Sequence, residues 1–245
     1  MAFEEVTIGD ARLIRGDCRE VREALGTAYA LVTDPPYGIS FDFTRDRSQR
    51  KSKLPDAGRH LHTKRGPDWE HNIIGDTEPF DPTSWLQFSQ VILWGANHYA
   101  NKLANSAAWL IWDKRAGGSS DDFADCELAW TNLKGPARLY KHLWRGVCRA
   151  GEENSVHGGK LYPSQKPLAL MRWCLEKTTG NILDPYMGSG TTLVAAIQLG
   201  RSCIGIDISP MAFDIACGRV EAAYKQLDMF IQRPVSPAPT QAALF

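Results

Sequence analysis

Two short runs in the chain combine residue types that can do chemistry. The first is Asp34-Pro35-Pro36-Tyr37, which follows the apolar run Tyr29-Ala30-Leu31-Val32. Two prolines remove backbone N–H donors and stiffen the chain, so the Pro35 carbonyl is not committed to a helix ladder. A carboxylate, a fixed carbonyl and an aromatic face together suit a planar group that carries an amino substituent. The amine would donate to Asp34 and to the Pro35 carbonyl, and Tyr37 would stack on the ring. Taken alone, the tetrapeptide is equally a stiff strand exit with a surface tyrosine.

The second run is Asp184-Pro185-Tyr186-Met187-Gly188-Ser189-Gly190-Thr191-Thr192. Glycines between a strand and a helix let backbone approach a ligand, and the helix N-terminus offers free N–H groups. A dinucleotide fingerprint needs a third glycine or alanine where this chain has Leu193, and the ribose-binding acid follows about twenty residues on. A phosphate loop needs a Gly-Lys-Ser/Thr sequence, which is absent here. The reading left is a nucleoside cofactor that is not a dinucleotide, with Asp207 at the end of the next apolar run available to ribose hydroxyls.

The elements that must position these runs are also legible. Short apolar runs end in a glycine or carboxylate at Gly16-Asp17, Asp34, Gly95, Asp113, Asp184 and Asp207. Such runs suit strands buried on both faces of a parallel sheet. Helical patterns cover residues 167–179, 191–199 and 209–224, with Pro167 and Pro210 at first helical positions and Gly180 and Gly200 as stops. Strand alternating with helix predicts an α/β doubly wound sheet. Residues 126–131 and 138–144 read as two further strands joined by a turn at Gly135-Pro136. The expected organisation is a single domain over residues 1–231, with a basic insertion at 44–75, a second insertion at 114–160 and a tail at 232–245.

Composition sets the outer limits. The chain has 245 residues, with 28 Lys+Arg and 28 Asp+Glu, so any polyanionic partner must be met by a local patch. None of the six cysteines falls in a Cys-x-x-Cys spacing, so a zinc site is not expected. His60 and His62 have no further ligands beside them, and no metal is expected. No apolar run approaches the roughly 18 residues of a membrane span, and the acidic N-terminus has no signal core. A cytoplasmic location with reduced thiols is expected, without a membrane partner.

Three segments together carry a specific resemblance. Asp34-Pro35-Pro36-Tyr37, Tyr162-Pro163-Ser164-Gln165-Lys166-Pro167 and Leu183-Asp184-Pro185-Tyr186-Met187-Gly188-Ser189-Gly190-Thr191-Thr192 resemble the β-class amino-group DNA methyltransferases. The resemblance runs from about residue 12 to about residue 227, with the catalytic motif first and the cofactor motif last. It implies S-adenosyl-L-methionine as methyl donor and a Rossmann-like, mostly parallel sheet of seven strands with one reversed. It also implies a base flipped out of duplex DNA. Asp34, Pro35, Pro36 and Tyr37 would be catalytic, with Asp34 also among the cofactor-binding residues. Asp184, Pro185, Met187, Gly188, Ser189, Gly190, Thr191 and Thr192 would form the cofactor loop, with Met187 where the family more often has phenylalanine. Asp207 would bind ribose, Asp17 and Cys18 would approach the adenine, and Ser164, Gln165 and Lys166 would lie near the methionine part. The motif Asp-Pro-Pro-Tyr is commoner among N6-adenine enzymes of this family, whereas N4-cytosine enzymes more often begin with serine. Adenine is therefore the expected target and cytosine the alternative. A catalytically inactive DNA-binding protein of the same fold is a third reading, which the intact Asp34 and glycine turn oppose.

Duplex DNA is the expected partner, and a homodimer is compatible with this reading. Arg45, Arg47, Arg50, Lys51, Lys53, Lys64 and Arg65 belong to a stretch with an excess of about six positive charges, suited to phosphates. Arg115, Lys141 and Arg145 flank the second insertion and are further candidates for DNA contact. Two peptides, Gln226-Leu227-Asp228-Met229-Phe230 and Gln241-Ala242-Ala243-Leu244-Phe245, resemble those by which bacterial proteins dock on the replication sliding clamp. The inner one continues a helical pattern; the outer one follows a proline-spaced tail that can hold a peptide clear of the domain.

Overall fold

The computed structural model describes residues 3–26, 28–40, 73–118, 124–145, 148–151 and 161–230. Five parallel strands form the centre: β2 (Ala11–Arg15), β11 (Cys203–Asp207), β10 (Ile182–Asp184), β3 (Ala30–Thr33) and β4 (Gln90–Trp94), adjacent in that order. Next to β4 lies β6 (Cys126–Thr131), antiparallel to it, and then β5 (Leu110–Asp113). These seven strands, with β6 reversed, are the sheet that the resemblance implied.

Among the described residues the sheet has nine strands. At one edge β1 (Glu4–Ile8) pairs antiparallel with β2, and at the other β7 (Arg138–Lys141) pairs parallel with β5. Two strands are therefore reversed rather than one. The two strands expected at residues 126–131 and 138–144 and joined by a turn are not neighbours in the sheet, because β5 lies between them. The turn at Gly135-Pro136 thus carries the chain across a strand. Trp144–Arg145 (β8) and Cys148–Arg149 (β9) form a separate antiparallel ribbon.

Consecutive strand residues point to opposite faces, so each central strand supplies two cores. Leu13, Val32, Ile92 and Trp94 pack with helices α2 (Leu168–Leu175), α3 (Thr191–Gln198) and α4 (Pro210–Phe230). Ile14, Leu31, Val91 and Leu93 pack on the other side with Val21 and Leu25 of α1 (Cys18–Leu25), and with Trp85 and Phe88. All four residues of β3 and all three of β10 are buried. Fully burying such a side chain contributes roughly 1.5–3 kcal/mol, so these two strands are firmly anchored supports for the loops that follow them. Helix α2 stops several residues before the expected residue 179, because Arg201 reaches the carbonyls of Leu175, Thr178 and Gly180 and satisfies that end.

The parallel strands share one direction, so Asp17, Asp34, Asp184 and Asp207 emerge along a single edge of the sheet. Ligands of open α/β sheets bind in the crevice at such carboxyl ends.

Candidate active site

A cavity of about 1450 Å³ opens along this edge. Asp17 and Cys18 line it, as do Asp34 to Tyr37, Ser164 to Lys166, Pro185, Gly188 and Asp207. The two sequence runs with chemical content thus face one space.

Asp34 follows β3 directly, and its side chain is 15% exposed. The Tyr37 hydroxyl donates to Oδ1, and the Lys166 ammonium donates to Oδ2. Burial pushes the Asp34 carboxyl up, against the pull of Lys166. Burial also pushes the Tyr37 hydroxyl far up, with Asp34 adding to it, so this hydroxyl remains a donor. The Lys166 ammonium also lies 3.1 Å from Glu127 Oε2, and Glu127 Oε1 accepts from Lys114 at 2.9 Å. Burial opposes the charge on Glu127, but the two lysines outweigh it and hold its carboxyl at about 2.

Tyr37 is fixed from three sides. Its ring stacks on His98 with centroids 4.9 Å apart and planes 14° from parallel. Gly95 lies beneath the ring, where an added Cβ would come within 1.9 Å of it, and its φ of +69° also favours glycine. The backbone N–H groups of Tyr37, Gly38 and Ile39 all donate to Asp76 Oδ1, at 3.0, 2.9 and 3.3 Å. Buried Asp76 therefore clamps the turn that presents Asp34.

The neighbouring strand ends are built differently. Asp207 accepts from the Gly188 amide at 2.9 Å and the Ser209 amide at 2.8 Å, joining the glycine loop to the start of α4. A carboxylate has about four acceptor positions, so Asp207 retains capacity for hydroxyl donors in the cavity. Asp184 is buried and accepts from the Thr33 hydroxyl at 2.6 Å and the Tyr186 amide at 3.2 Å. Burial lifts its carboxyl to about 6, moderated by Thr192 and Thr33. Phe80, Trp85 and Tyr186 form an edge-to-face aromatic cluster in the cavity wall. An aromatic wall, a hydroxyl-accepting carboxylate and a glycine at close quarters fit a nucleoside.

The remaining expected cofactor residues lie off the main cavity. Asp184, Met187, Ser189, Thr191 and Thr192 border a smaller space of about 30 Å³, which Asp34 and Lys166 also border. Ser189 and Thr191 are bonded to Arg219 of α4, at 2.9 and 2.8 Å through their hydroxyls. Met187 packs over Gly205, where a Cβ would meet its sulfur at 2.5 Å. Gly190 caps α3 with φ +74° and abuts Ala216 of α4. Asp17 caps α1 through the Arg19 amide at 2.9 Å and pairs with the Arg19 side chain, while Cys18 is buried with its thiol pushed up to about 12 by burial. Gln165 folds back to accept from the Leu161 amide at 2.9 Å.

Of the expected DNA contacts, Arg45, Arg47, Arg50, Lys51, Lys53, Lys64 and Arg65 lie outside the described residues, as does the side chain of Arg145. Lys141 is exposed on β7. Arg115 is 6% exposed and paired with Asp125, so this placement does not offer it to a phosphate. Among the described residues no group of His, Cys, Asp and Glu is arranged to hold a metal ion. No described helix is long and apolar enough to cross a membrane.

Sequence reasoning missed Asp76 and Glu127. Asp76 ends the basic insertion directly after a glycine, a turn position with no visible partner in sequence. Glu127 offered a faint signal, as the one carboxylate in the run Cys126-Glu127-Leu128-Ala129-Trp130-Thr131.

The fold is the Rossmann-like sheet of the class I methyltransferases. The solved structure of PvuII DNA methyltransferase, which is cytosine-N4-specific, superposes with a TM-score of 0.54 at 15% identity, over 91% of this chain and 92% of that one. The N6/N4 family model, described as DNA methylase, matches residues 120–217. The match takes in Lys166, Asp184 to Thr192 and Asp207. Type II methyltransferase M.ScaI of Streptomyces caespitosus is 38% identical over 85 residues, which are 34% of this chain and 26% of that protein. Putative methylase YubD of Escherichia coli (strain K12) is 27% identical over 215 residues, 81% of this chain and 85% of that one.

Proposed function

We propose that the chain transfers a methyl group from S-adenosyl-L-methionine to the N6 amino group of an adenine turned out of duplex DNA. The observation that carries this reading is the placement of Asp34, a largely buried carboxylate at a strand end, in the same cavity as Gly188 and Asp207. When bound, S-adenosyl-L-methionine supplies a methyl group on a sulfonium, ready for displacement by a nitrogen lone pair.

The residues divide into two tasks. Asp207, Gly188 and the wall of Phe80, Trp85 and Tyr186 hold the nucleoside end of the cofactor. Asp34 and Tyr37 hold the base. An exocyclic amine is a poor nucleophile because its lone pair is delocalised into the ring. A hydrogen bond to Asp34 favours pyramidal nitrogen and stabilises the positive charge that develops as the carbon–nitrogen bond forms. Such a preorganised group is typically worth ~3–4 kcal/mol. Stacking on Tyr37 adds roughly 1–3 kcal/mol. These contacts offset the few kcal/mol needed to unstack the base. The aspartate at the head of the motif supports adenine over cytosine.

The basic stretch that includes Arg45 to Arg65 is proposed to grip phosphates, and its neutralisation should flatten the salt dependence of DNA binding. Of the two clamp-like peptides, Gln226-Leu227-Asp228-Met229-Phe230 lies in α4 with Leu227 packed on the core. Gln241-Ala242-Ala243-Leu244-Phe245 lies outside the described residues and is the one proposed to dock. Purified clamp should capture the intact chain and fail to capture a chain lacking residues 241–245.

The central test is incubation of unmethylated duplex DNA with the purified chain and tritiated S-adenosyl-L-methionine, compared with duplex RNA. Label is expected in DNA. Its absence from DNA, or its preference for RNA, would overturn the reading.

A further inference from the structure

Both oxygens of Asp34 are already engaged, Oδ1 by Tyr37 and Oδ2 by Lys166. On the methyltransferase reading given above, the incoming amine needs one of them. Tyr37 can rotate its hydroxyl away, but a buried ammonium cannot simply let go. Its side chain is 11% exposed, and separating a buried ion pair leaves an uncompensated charge.

Glu127 resolves this. It stands on the reversed strand β6, and its Oε2 is 3.1 Å from the same Lys166 nitrogen. Lys166 has three donors and no acceptor, so one ammonium can serve both carboxylates. Lys114, directly after β5, holds the other oxygen of Glu127 at 2.9 Å, which keeps Glu127 in place and charged. We infer that Glu127 is a positioning residue for methyl transfer: it receives the Lys166 ammonium as the target amine takes over Asp34 Oδ2.

Among the described residues, few groups face Asp34 and its partner Tyr37. Tyr37 comes from its own loop, Lys166 from the segment before α2, Glu127 from β6 with Lys114 behind it, His98 and Tyr99 from the turns after β4, and Asp184 from β10. Glu127 pushes the Asp34 carboxyl up and Lys166 pulls it down. Removing each should therefore move the acid limb of the rate profile in opposite directions, which a loss of packing would not do.

The test is the single-turnover rate of tritium transfer to unmethylated plasmid DNA, measured across pH with the full chain at saturating S-adenosyl-L-methionine. Glu127→Gln leaves Lys166 wholly on Asp34. It should slow transfer about tenfold or more, as a misplaced reacting group does, and shift the acid limb to lower pH. Its affinity for the cofactor should stay within about twofold of native, since the cofactor's nucleoside end lies elsewhere. Lys166→Met should shift the acid limb to higher pH. The double variant should be faster than Glu127→Gln alone, because no ammonium then blocks Asp34. The inference is overturned by native-like transfer in Glu127→Gln, by acid limbs that move the same way, or by a double variant no faster than Glu127→Gln. Should Glu127→Gln fail to fold, Glu127→Asp keeps the charge but withdraws it, and slowed transfer with intact cofactor binding is expected; a native rate would overturn the idea. If the native chain transfers no label at all, the methyltransferase reading fails first.

Discussion

Asp34 and Asp184 stand at the ends of adjacent parallel strands, yet they are held in opposite ways. Asp184 is tied to Thr33 and Thr192 hydroxyls and to the amide of Tyr186, all within packed structure. Asp207, one strand further, is likewise tied by amides of the loops it joins. Among the described residues Asp34 is held by the ends of two side chains, Tyr37, whose hydroxyl can rotate away, and Lys166, which has Glu127 beside it. A carboxylate bound by backbone organises its loop. A carboxylate bound by replaceable side chains can exchange those partners for a substrate. On the proposed function, the β10 end supports its loop, the β11 end holds the cofactor and the β3 end does the chemistry.

The sharpest way to break this division is at Asp34. Asp34→Ala should lower methyl transfer by at least ~10²-fold, the usual effect of deleting one preorganised group. Cofactor affinity, measured by calorimetry, should change little. Transfer near the native rate would place the chemistry elsewhere.

Asp207→Ala should show the reverse pattern. Cofactor binding is expected to weaken by about 1–3 kcal/mol, through unpaired hydroxyls and a loosened Gly188 loop. An unchanged dissociation constant would take the ribose away from this strand end.

The smallest effect is expected at Asp184, and it concerns stability. Burial raises its carboxyl from the ordinary 3.8 to about 6. The folded chain therefore binds more protons than the unfolded chain between those values, and stability falls as pH rises through that window. Asp184→Asn should flatten this dependence and stabilise the chain above it by about 1–2 kcal/mol, the relief of a buried charge less a poorer fit to two hydroxyl donors. Denaturant titrations at several pH values would show it. An unaltered slope would mean that Asp184 is not the buried acid responsible.

The division between scaffold and chemistry was only half legible in the sequence. The alternation of apolar runs with helical periods was enough for the central strands, because burial on both faces leaves no polar positions to confuse the pattern. The edges were not legible. β1 reads Glu4-Glu5-Val6-Thr7-Ile8, a half-exposed strand whose charges are answered across the pair by Arg12 and Arg15. Helix α1 was hidden for a related reason: residues 18–25 are rich in charge, and the capping of its amide by Asp17 cannot be distinguished in sequence from a ligand contact. At the site, Asp34 and Tyr37 were legible because their chemistry is local. Glu127 and Asp76 were not, since each acts on residues far away in the chain. The roles expected for Ser189 and Thr191 had a competitor that sequence could not show, namely Arg219 from the middle of α4.

The proposed chemistry requires a methyl group to reach a base held at Asp34. The most direct measurement is mass analysis of the nucleosides of unmethylated duplex DNA after incubation with S-adenosyl-L-methionine and either the native chain or Asp34→Ala. N6-methyladenine should accumulate with the native chain and stay at background with the variant. N4-methylcytosine in its place would contradict the choice of adenine; no methylated base, or equal amounts from both proteins, would contradict the role given to Asp34.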